Sequence, residues 1–299
     1  MEDGTSQMDA SIQKYQAFLE TVRCGNITAA AASLSYSQSG VSRMIADLER
    51  EWGLCLLERG HKGVTLTSDG EQVLPFVEAL CEDHRRLRER VAEVKGAEAG
   101  TLVIGTFSSV ATHVLPPMIQ SFEQSHPNIR FELRMGDYSQ IEQWVVDGRV
   151  DLGFLPFPPA RPRPGLEHRS VLEDELLAVM PAAHPLARRK TARLEQLAAE
   201  PFILLGQGRD DEVTPLFEAA GVSMMPRFST WDDYAIMSMV ESGLGVAILP
   251  RLILTRCPYQ IESRPLRPRV RREICAVYRP GLLSSAASAF LGTIASPSA

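Results

Sequence analysis

The 299-residue chain has no surplus of positive charge, no cysteine pairing pattern and no long apolar run. Its 31 Lys and Arg are outnumbered by 37 Asp and Glu, giving a net charge of −6. The deficit persists over residues 1–70, where six cations face nine anions, so the basic footprint of a protein that coats nucleic acid by bulk attraction is missing. Five cysteines (24, 55, 81, 257 and 275) are odd in number and form no Cys-x-x-Cys, which excludes a disulfide framework and fits reduced thiols in a cytoplasm. The longest apolar region, Val240 to Leu254, is interrupted by Glu241, Pro250 and Arg251, so no membrane span is expected. Met1-Glu2-Asp3-Gly4 is acidic and carries no secretory pattern, and a cytoplasmic location is expected. Catalytic signatures are missing too: there is no G-x-S-x-G elbow, no H-E-x-x-H and no phosphate loop. Gly243-x-Gly245 lacks a third glycine and precedes a strand, and the six histidines are scattered without ligand spacing. The chain is therefore expected to be no enzyme and to carry neither cofactor nor metal.

What is present is a stretch, Ser37 to Glu49, with two unlike faces. On a helical wheel Val41, Met44, Ile45, Leu48 and Trp52 gather on one side, and Ser39, Ser42, Arg43, Ala46 and Arg50 on the other. Small hydroxyl and methyl groups let a helix backbone approach a partner closely, and arginine offers forked donors to guanine edges or phosphates. Upstream, Ile12, Tyr15, Phe18, Leu19 and Val22 recur at helical spacing from Ser11 until Gly25. Thr28 is expected to cap a short alanine-rich helix running to Leu34, and Gly53 to end the helix begun at Ser37. Two short helices joined by a tight turn form a helix-turn-helix. The runs Leu56–Arg59 and Val64–Thr67 around Gly60-His61-Lys62-Gly63 read as a hairpin with a basic tip, a wing beside the recognition helix.

A specific resemblance lies in this order of residues. Gly25-Asn26-Ile27-Thr28, Ala30-Ala31, Leu34, Ser37-Gln38, Val41-Ser42, Leu48-Glu49, Gly53, Leu56-Leu57-Glu58-Arg59 and Leu66-Thr67-Ser68-Asp69-Gly70 are similar to the signature of LysR-type transcriptional regulators. Ser39 and Gly40 depart from the usual Pro-Ala, and Leu57 from a common Phe. Such a glycine loosens the helix start by up to ~1 kcal/mol relative to alanine.

From Ser68 to about Lys95 the positions Val73, Val77, Leu80, His84, Leu87, Val91 and Val94 step alternately by four and three, a heptad seam suited to pairing two helices. His84 reads as a packed or register-setting residue within it. Pro75 should kink this helix near its start. In the family the resemblance implies, this segment is the dimerisation helix, and residues 96–100 are a hinge.

Beyond residue 100 the chain echoes itself. Val145 to Pro156 resembles Met239 to Pro250 at a constant offset of 94, and the strands Leu102–Gly105 and Phe202–Gly206 each end in glycine and a polar loop. Each half reads strand–loop–helix–strand–helix–strand, the pattern of a parallel α/β lobe, with a ligand cleft at the carboxyl ends of the strands. The chain is expected to cross between lobes near Arg161–Glu167 and again around Pro265–Arg279. The resemblance implies the effector-binding domain of the same family, with a periplasmic-binding-protein-like fold. The expected fold class is α+α/β: a winged helix-turn-helix over 1–67, a dimerisation helix over 68–95, and a two-lobed domain over 101–299. Lobe 1 would span about 101–166 and 276–299, and lobe 2 about 167–275.

The expected DNA-binding set is Ser37, Gln38, Ser39, Ser42 and Arg43 on the recognition helix. Arg59, Lys62, Thr65 and Thr67 on the wing would hold phosphates or the minor groove. In the cleft, Ser108 and Ser109 would hold a carboxylate or another small polar group, Ser109 by resemblance to the hydroxyl that often contacts the effector in the family. Gln207 and Arg209 would face them from the second lobe, Phe154 would form cleft wall, and Asp137 and Thr230 would end second strands. The partners implied are double-stranded DNA, a small-molecule effector, a second copy in a homodimer or homotetramer, and RNA polymerase, with no membrane. The basic run Arg264, Arg267, Arg269, Arg271 and Arg272 reads as a solvated edge strand, and Cys257 with Cys275 as unpaired thiols. Two other classes remain open at this point. A solute-binding module with an appended helical domain would need export, and a two-lobed enzyme such as a dehydratase would need a catalytic constellation.

Overall fold

The computed structural model describes residues 11–60, 63–94, 100–156, 165–206 and 212–294. The chain divides into two compact units, Met1–Lys95 and Gly96–Ala299.

The first unit holds α1 (Ile12–Cys24), α2 (Ile27–Ser33), α3 (Gln38–Trp52), a hairpin of β1 (Leu57–Gly60) with β2 (Gly63–Leu66), and α4 (Ser68–Val94). Local chemistry sets the boundaries. Gly25 and Gly53 take left-handed conformations at the ends of α1 and α3, where a side chain is disfavoured. The Ser37 hydroxyl accepts from Gly40 N–H at 3.0 Å and caps α3. The cap of α2 is Asn26, not Thr28, because its carboxamide oxygen accepts from both Thr28 and Ala29 N–H and starts the helix two residues earlier. Val41, Ile45 and Leu48 are fully buried against Phe18, Ile27, Ala31 and Leu56, each burial contributing roughly 1.5–3 kcal/mol. Glu49 ties the recognition helix to the wing, its carboxylate accepting from Leu56 and Leu57 N–H. Gly70 is required: a Cβ there would lie 2.3 Å from the Leu56 carbonyl oxygen, so only glycine lets α4 press on the wing. Helix α4 runs unbroken through Pro75.

The heptad seam divides into two parts. Val77 is buried, and Val73 packs with it on the first unit's own core, so these positions are used within the chain. The apolar side chains left exposed are Phe76 (77%), Leu80 (48%), Leu87 (61%) and Val91 (45%). The unpartnered stripe thus begins at Phe76, one residue before Val77, because α1 packs against the start of α4. The Val94 side chain lies outside those described.

The second unit is built on one mixed eight-stranded sheet of order β4-β3-β5-β10-β6-β9-β7-β8. Lobe 1 holds β3 (Gly100–Thr106), α5 (Ser108–His113), α6 (Leu115–Glu123), β4 (Ile129–Met135), α7 (Tyr138–Asp147) and β5 (Leu152–Pro156). The long strand β6 (Glu167–Pro181) then leads into lobe 2, which holds α8 (Leu194–Ala198), β7 (Phe202–Leu205), α9 (Thr214–Ala219), β8 (Pro226–Thr230), α10 (Asp233–Glu241), β9 (Val246–Pro250) and α11 (Arg251–Leu254). The second long strand, β10 (Ile261–Tyr278), returns to lobe 1 and α12 (Ser285–Thr293). The echo in the sequence is structural: β5 pairs in parallel with β3, and β9 pairs in parallel with β7, each behind a helix ending in a left-handed glycine, Gly148 or Gly243.

The lobes are joined by strands, not by the proline-rich connector expected at 161–167, of which 161–164 lie outside the described residues. β6 and β10 pair antiparallel from Glu167 to Pro181, passing continuously from lobe 1 to lobe 2. β10 occupies the fourth place of eight, so the basic run it carries is not on an edge strand; a bulge between Pro265 and Val270 pushes Arg267 and Arg269 out to solvent instead. Cys275 is fully buried in the lobe 1 core, its thiol pushed up to about 12 by burial, whereas Cys257 packs in lobe 2. His126 stacks on Phe122 and His184 caps a short 3-10 turn, both structural roles.

Candidate functional site

In the first unit, the outer face of α3 is open. Ser37, Gln38, Ser39 and Arg43 are exposed and Ser42 is half-buried. The Ser37 and Ser39 hydroxyls lie 3.1 Å apart at the helix start. Arg50 at the far end is engaged by Asp47 at 2.9 Å. Thr65 on β2 is exposed; Lys62 and the side chain of Arg59 lie outside the described residues. Thr67 is committed to the fold: its hydroxyl donates to the Cys55 carbonyl at 2.6 Å and accepts from Gly70 N–H at 2.9 Å, capping α4. Behind α3, an apolar groove of about 490 Å³ runs between Trp52 and α4, lined by Tyr15, Leu54, Phe76 and Leu80 among others. The Trp52 indole N–H is buried in it with no acceptor among the described residues.

In the second unit, the loops at the carboxyl ends of β3, β4, β7 and β8 enclose a cavity of about 400 Å³. Phe107, Ser108, Met135 and Asp137 line it from lobe 1, and Gly206 and Trp231 from lobe 2. Trp231 and Met135 are 73% and 54% exposed, giving the cavity an apolar rim. Asp137 caps α7, accepting from Gln140 N–H at 2.7 Å, and its carboxylate faces the same space. The short helix α5 starts at Ser108 itself and is followed directly by α6, which carries Pro116 and Pro117 in its first turn.

Of the other expected residues, Ser109 is buried, its hydroxyl 3.3 Å from Arg272 Nη2. Phe154 is fully buried in the lobe 1 core and does not line the cavity, because β5 turns it inward opposite Ala276. The Thr230 hydroxyl accepts from Asp232 N–H at 3.3 Å at the cavity's edge. Gln207 and Arg209 lie outside the described residues.

The residue that sequence reasoning misplaced is Arg272. Taken with its exposed neighbours it looked solvated; on β10 it sits directly opposite Asp174 of β6, at the crossing between lobes. Its Nε and Nη2 donate to Asp174 Oδ2 at 3.1 and 2.9 Å, and its Nη1 to Glu212 Oε2 at 2.7 Å and to the Tyr138 hydroxyl at 3.0 Å. Burial opposes its charge, but Glu212, Tyr138 and Asp174 outweigh that and raise its pKa above the ordinary value. Two-residue alternation was the available signal, since Val270, Arg272, Ile274 and Ala276 share the inward face. Beside it, Asp233 at the start of α10 is buried and bonds Ser108 across the cleft. Burial lifts its pKa to about 6 against the opposing pull of Arg272 and that bond.

Comparison with known proteins agrees with both units. Residues 12–71 match the family described as bacterial regulatory helix-turn-helix protein, lysR family, and residues 95–296 match the LysR substrate binding domain. A probable HTH-type transcriptional regulator, LrrA of Synechococcus elongatus, is 34% identical over 95% of this chain and 96% of its own length. The RuBisCO operon transcriptional regulator of Allochromatium vinosum is 30% identical over 95% of both chains. Among solved structures, CbnR, a LysR family transcriptional regulator, covers 95% of this chain and 98% of its own with a TM-score of 0.73 at 22% identity, and it has also been solved in complex with its target DNA. The family is one of transcriptional regulators, not enzymes. The chain belongs to the LysR family and is a DNA-binding transcriptional regulator with a C-terminal effector-binding domain.

Proposed function

We propose that the protein acts in the cytoplasm as a dimer whose paired α3 helices enter successive major grooves, under the control of a small effector held in the 400 Å³ cleft. The observation that carries this reading is the division of α3: Val41, Ile45 and Leu48 anchor one face, while Gln38, Ser39 and Arg43 stand exposed on the other. Gln38, Ser39, Ser42 and Arg43 read base edges, and Ser37 both caps the helix and contacts the backbone. Arg59, Lys62 and Thr65 hold phosphates from the wing. With a net charge of −3 over residues 1–70, affinity depends on these few contacts and on presentation in pairs.

The second copy covers the exposed stripe Phe76, Leu80, Leu87 and Val91 and the groove beside Trp52. Four large apolar side chains left in water on one helix face mark an interaction surface. In the effector domain, Ser108 and Asp137 supply the polar contacts, and Met135 and Trp231 the apolar ones. An effector bound between lobes shifts the population of arrangements in which the α3 pair is presented.

Footprinting of the full-length protein on DNA upstream of its own gene tests this. Two protected half-sites about one helical turn or a multiple apart are expected, and Leu87→Asp should abolish their joint protection. A single short site occupied equally by Leu87→Asp would overturn the paired reading.

A further inference from the structure

The two carboxylates on Arg272 are not equivalent. Asp174 is a permanent counter-ion: its Oδ2 takes the Nε–Nη2 edge of the guanidinium, and its Oδ1 accepts from the N–H groups of Glu175 and Leu252, each at 3.0 Å. Its side chain is 3% exposed. Glu212 is 23% exposed, stands just before α9, and is held by two donors, Arg272 Nη1 and the Tyr138 hydroxyl at 3.0 Å. Those two donors come from elsewhere in the domain: Tyr138 from α7 of lobe 1 and Arg272 from the crossing strand β10. Glu212 belongs to lobe 2, so its carboxylate, like that of Asp233, bonds across the cleft. Phe107 links the centre to the cleft cavity. Its ring lines the cavity, packs edge-on against Tyr138 at 5.0 Å and lies 5.5 Å from the Arg272 guanidinium carbon.

We propose that Arg272 Nη1 and the Tyr138 hydroxyl form an anion site filled by the chain's own Glu212, and that the effector carries a carboxylate that takes this site by displacing Glu212. Exchange of one carboxylate for another keeps the charge balance around a buried guanidinium, whereas an incoming cation or a neutral group would leave Arg272 under-compensated. Glu212 loses two hydrogen bonds on leaving and regains water, while Asp174 holds Arg272 in place throughout. Displacement would cut the tie between Glu212 in lobe 2 and Tyr138 in lobe 1 and leave the Asp233–Ser108 bond, so ligand occupancy and lobe geometry are coupled through the Glu212 side chain. An effector shaped for this exchange has a carboxylate on an apolar body that reaches past Phe107 toward Trp231 and Met135. The proposal rests on the effector-binding reading of the cleft and specifies the ligand's chemical class.

Acetate reproduces the atoms that Glu212→Ala removes, so rescue of that variant is the test. Thermal midpoints of the full-length protein are measured against sodium acetate, with sodium chloride at matched ionic strength and methylammonium chloride as the cationic probe. Glu212→Ala should melt below wild type, and acetate should raise its midpoint saturably at concentrations at least about tenfold lower than any effect on wild type, the equivalent of 1.4 kcal/mol. Tyr138→Phe in the Glu212→Ala background should lose most of that rescue. If Glu212→Ala does not fold, Glu212→Gln keeps the shape without the charge and should likewise respond to acetate more strongly than wild type. Equal acetate response in wild type and both variants, rescue indifferent to Tyr138→Phe, or stronger stabilisation by methylammonium would each overturn the proposal. No DNA enters this titration, so its failure leaves effector control intact, whereas failure of effector control would appear as a DNA footprint that no added ligand changes.

Discussion

Replacing Val77 and Leu87 separately by alanine should produce opposite defects, although the two residues belong to one heptad seam. Val77 is 5% exposed and packs on the first unit's core; Leu87 is 61% exposed on the open stripe. Truncating Val77 removes two methyl groups from a packed site and should destabilise each chain by about 2 kcal/mol. Truncating Leu87 changes almost nothing within the chain. In a two-fold dimer, however, the same residue is lost from both sides. If the interface buries the roughly three-fifths of Leu87 now exposed, three carbons at about 0.8 kcal/mol each amount to about 1.5 kcal/mol per chain and about 3 kcal/mol per dimer. That weakens dimerisation roughly a hundredfold. Urea unfolding measures the first quantity and sedimentation equilibrium the second. Val77→Ala should lose unfolding stability while its dimer affinity changes by less than about tenfold; Leu87→Ala should dissociate with its unfolding curve unchanged at low concentration. A Leu87→Ala protein that sediments as wild type, together with a monomeric Val77→Ala, would return the interface to the buried positions and refute the division of the seam.

Gly70→Ala should destabilise the first unit by about 1–3 kcal/mol, because the new methyl meets the Leu56 carbonyl at 2.3 Å and the Leu66 side chain at 2.9 Å; unchanged urea stability would show that the wing yields there. For Asp233, the folded pKa of about 6 lies above the ordinary 3.8, so the native state binds a proton that the unfolded chain releases. The stability this contributes is fully present below the unfolded value and is lost as pH rises through about 6, an upper bound of about 3 kcal/mol across the window. Asp233→Asn lacks that titration. Its stability relative to wild type, followed by urea unfolding across the same window, should therefore rise with pH. A constant difference would place the proton elsewhere.

The first unit was legible because its boundaries are written in local chemistry. Gly25, Ser37 and Gly53 act within one turn of where they stand, and the wing strands fell within a residue of their expected ends. Asn26 and Thr28 are both residue types that can cap, and only the direction of the side chain makes Asn26 the cap. The seam misled because a heptad pattern records which positions are buried without saying against what. Val73 and Val77 fit the pattern, but the partner is α1 of the same chain. In the second unit, the offset of 94 between the echoing halves correctly gave two similar lobes. The first crossing, expected at 161–167, runs along β6 instead, whereas the stretch expected for the second, Pro265–Arg279, lies on β10; strands of 15 and 18 residues that serve two lobes leave no break in composition to mark either. The Arg272 centre was illegible for a related reason: its partner Asp174 lies 98 positions away, and the pairing is created by the register of β6 on β10. Phe154 is expected in the cleft wall, yet it lies in the middle of β5 opposite Ala276 and is buried in the lobe 1 core.

If α3 reads sequence through a few directed contacts, Arg43 is the one to remove. The full-length protein and Arg43→Ala should be compared by selection from randomised DNA at one fixed salt concentration, with folding of the variant confirmed by its urea curve. Arg43 is exposed on α3, so its loss should leave folding intact. Preference should relax at one base pair in each half-site, at a cost of about 1–3 kcal/mol against the wild-type base, while other positions keep theirs. An unchanged preference at every position, with affinity lowered evenly across sequences, would make Arg43 a phosphate contact and contradict the reading of this helix face.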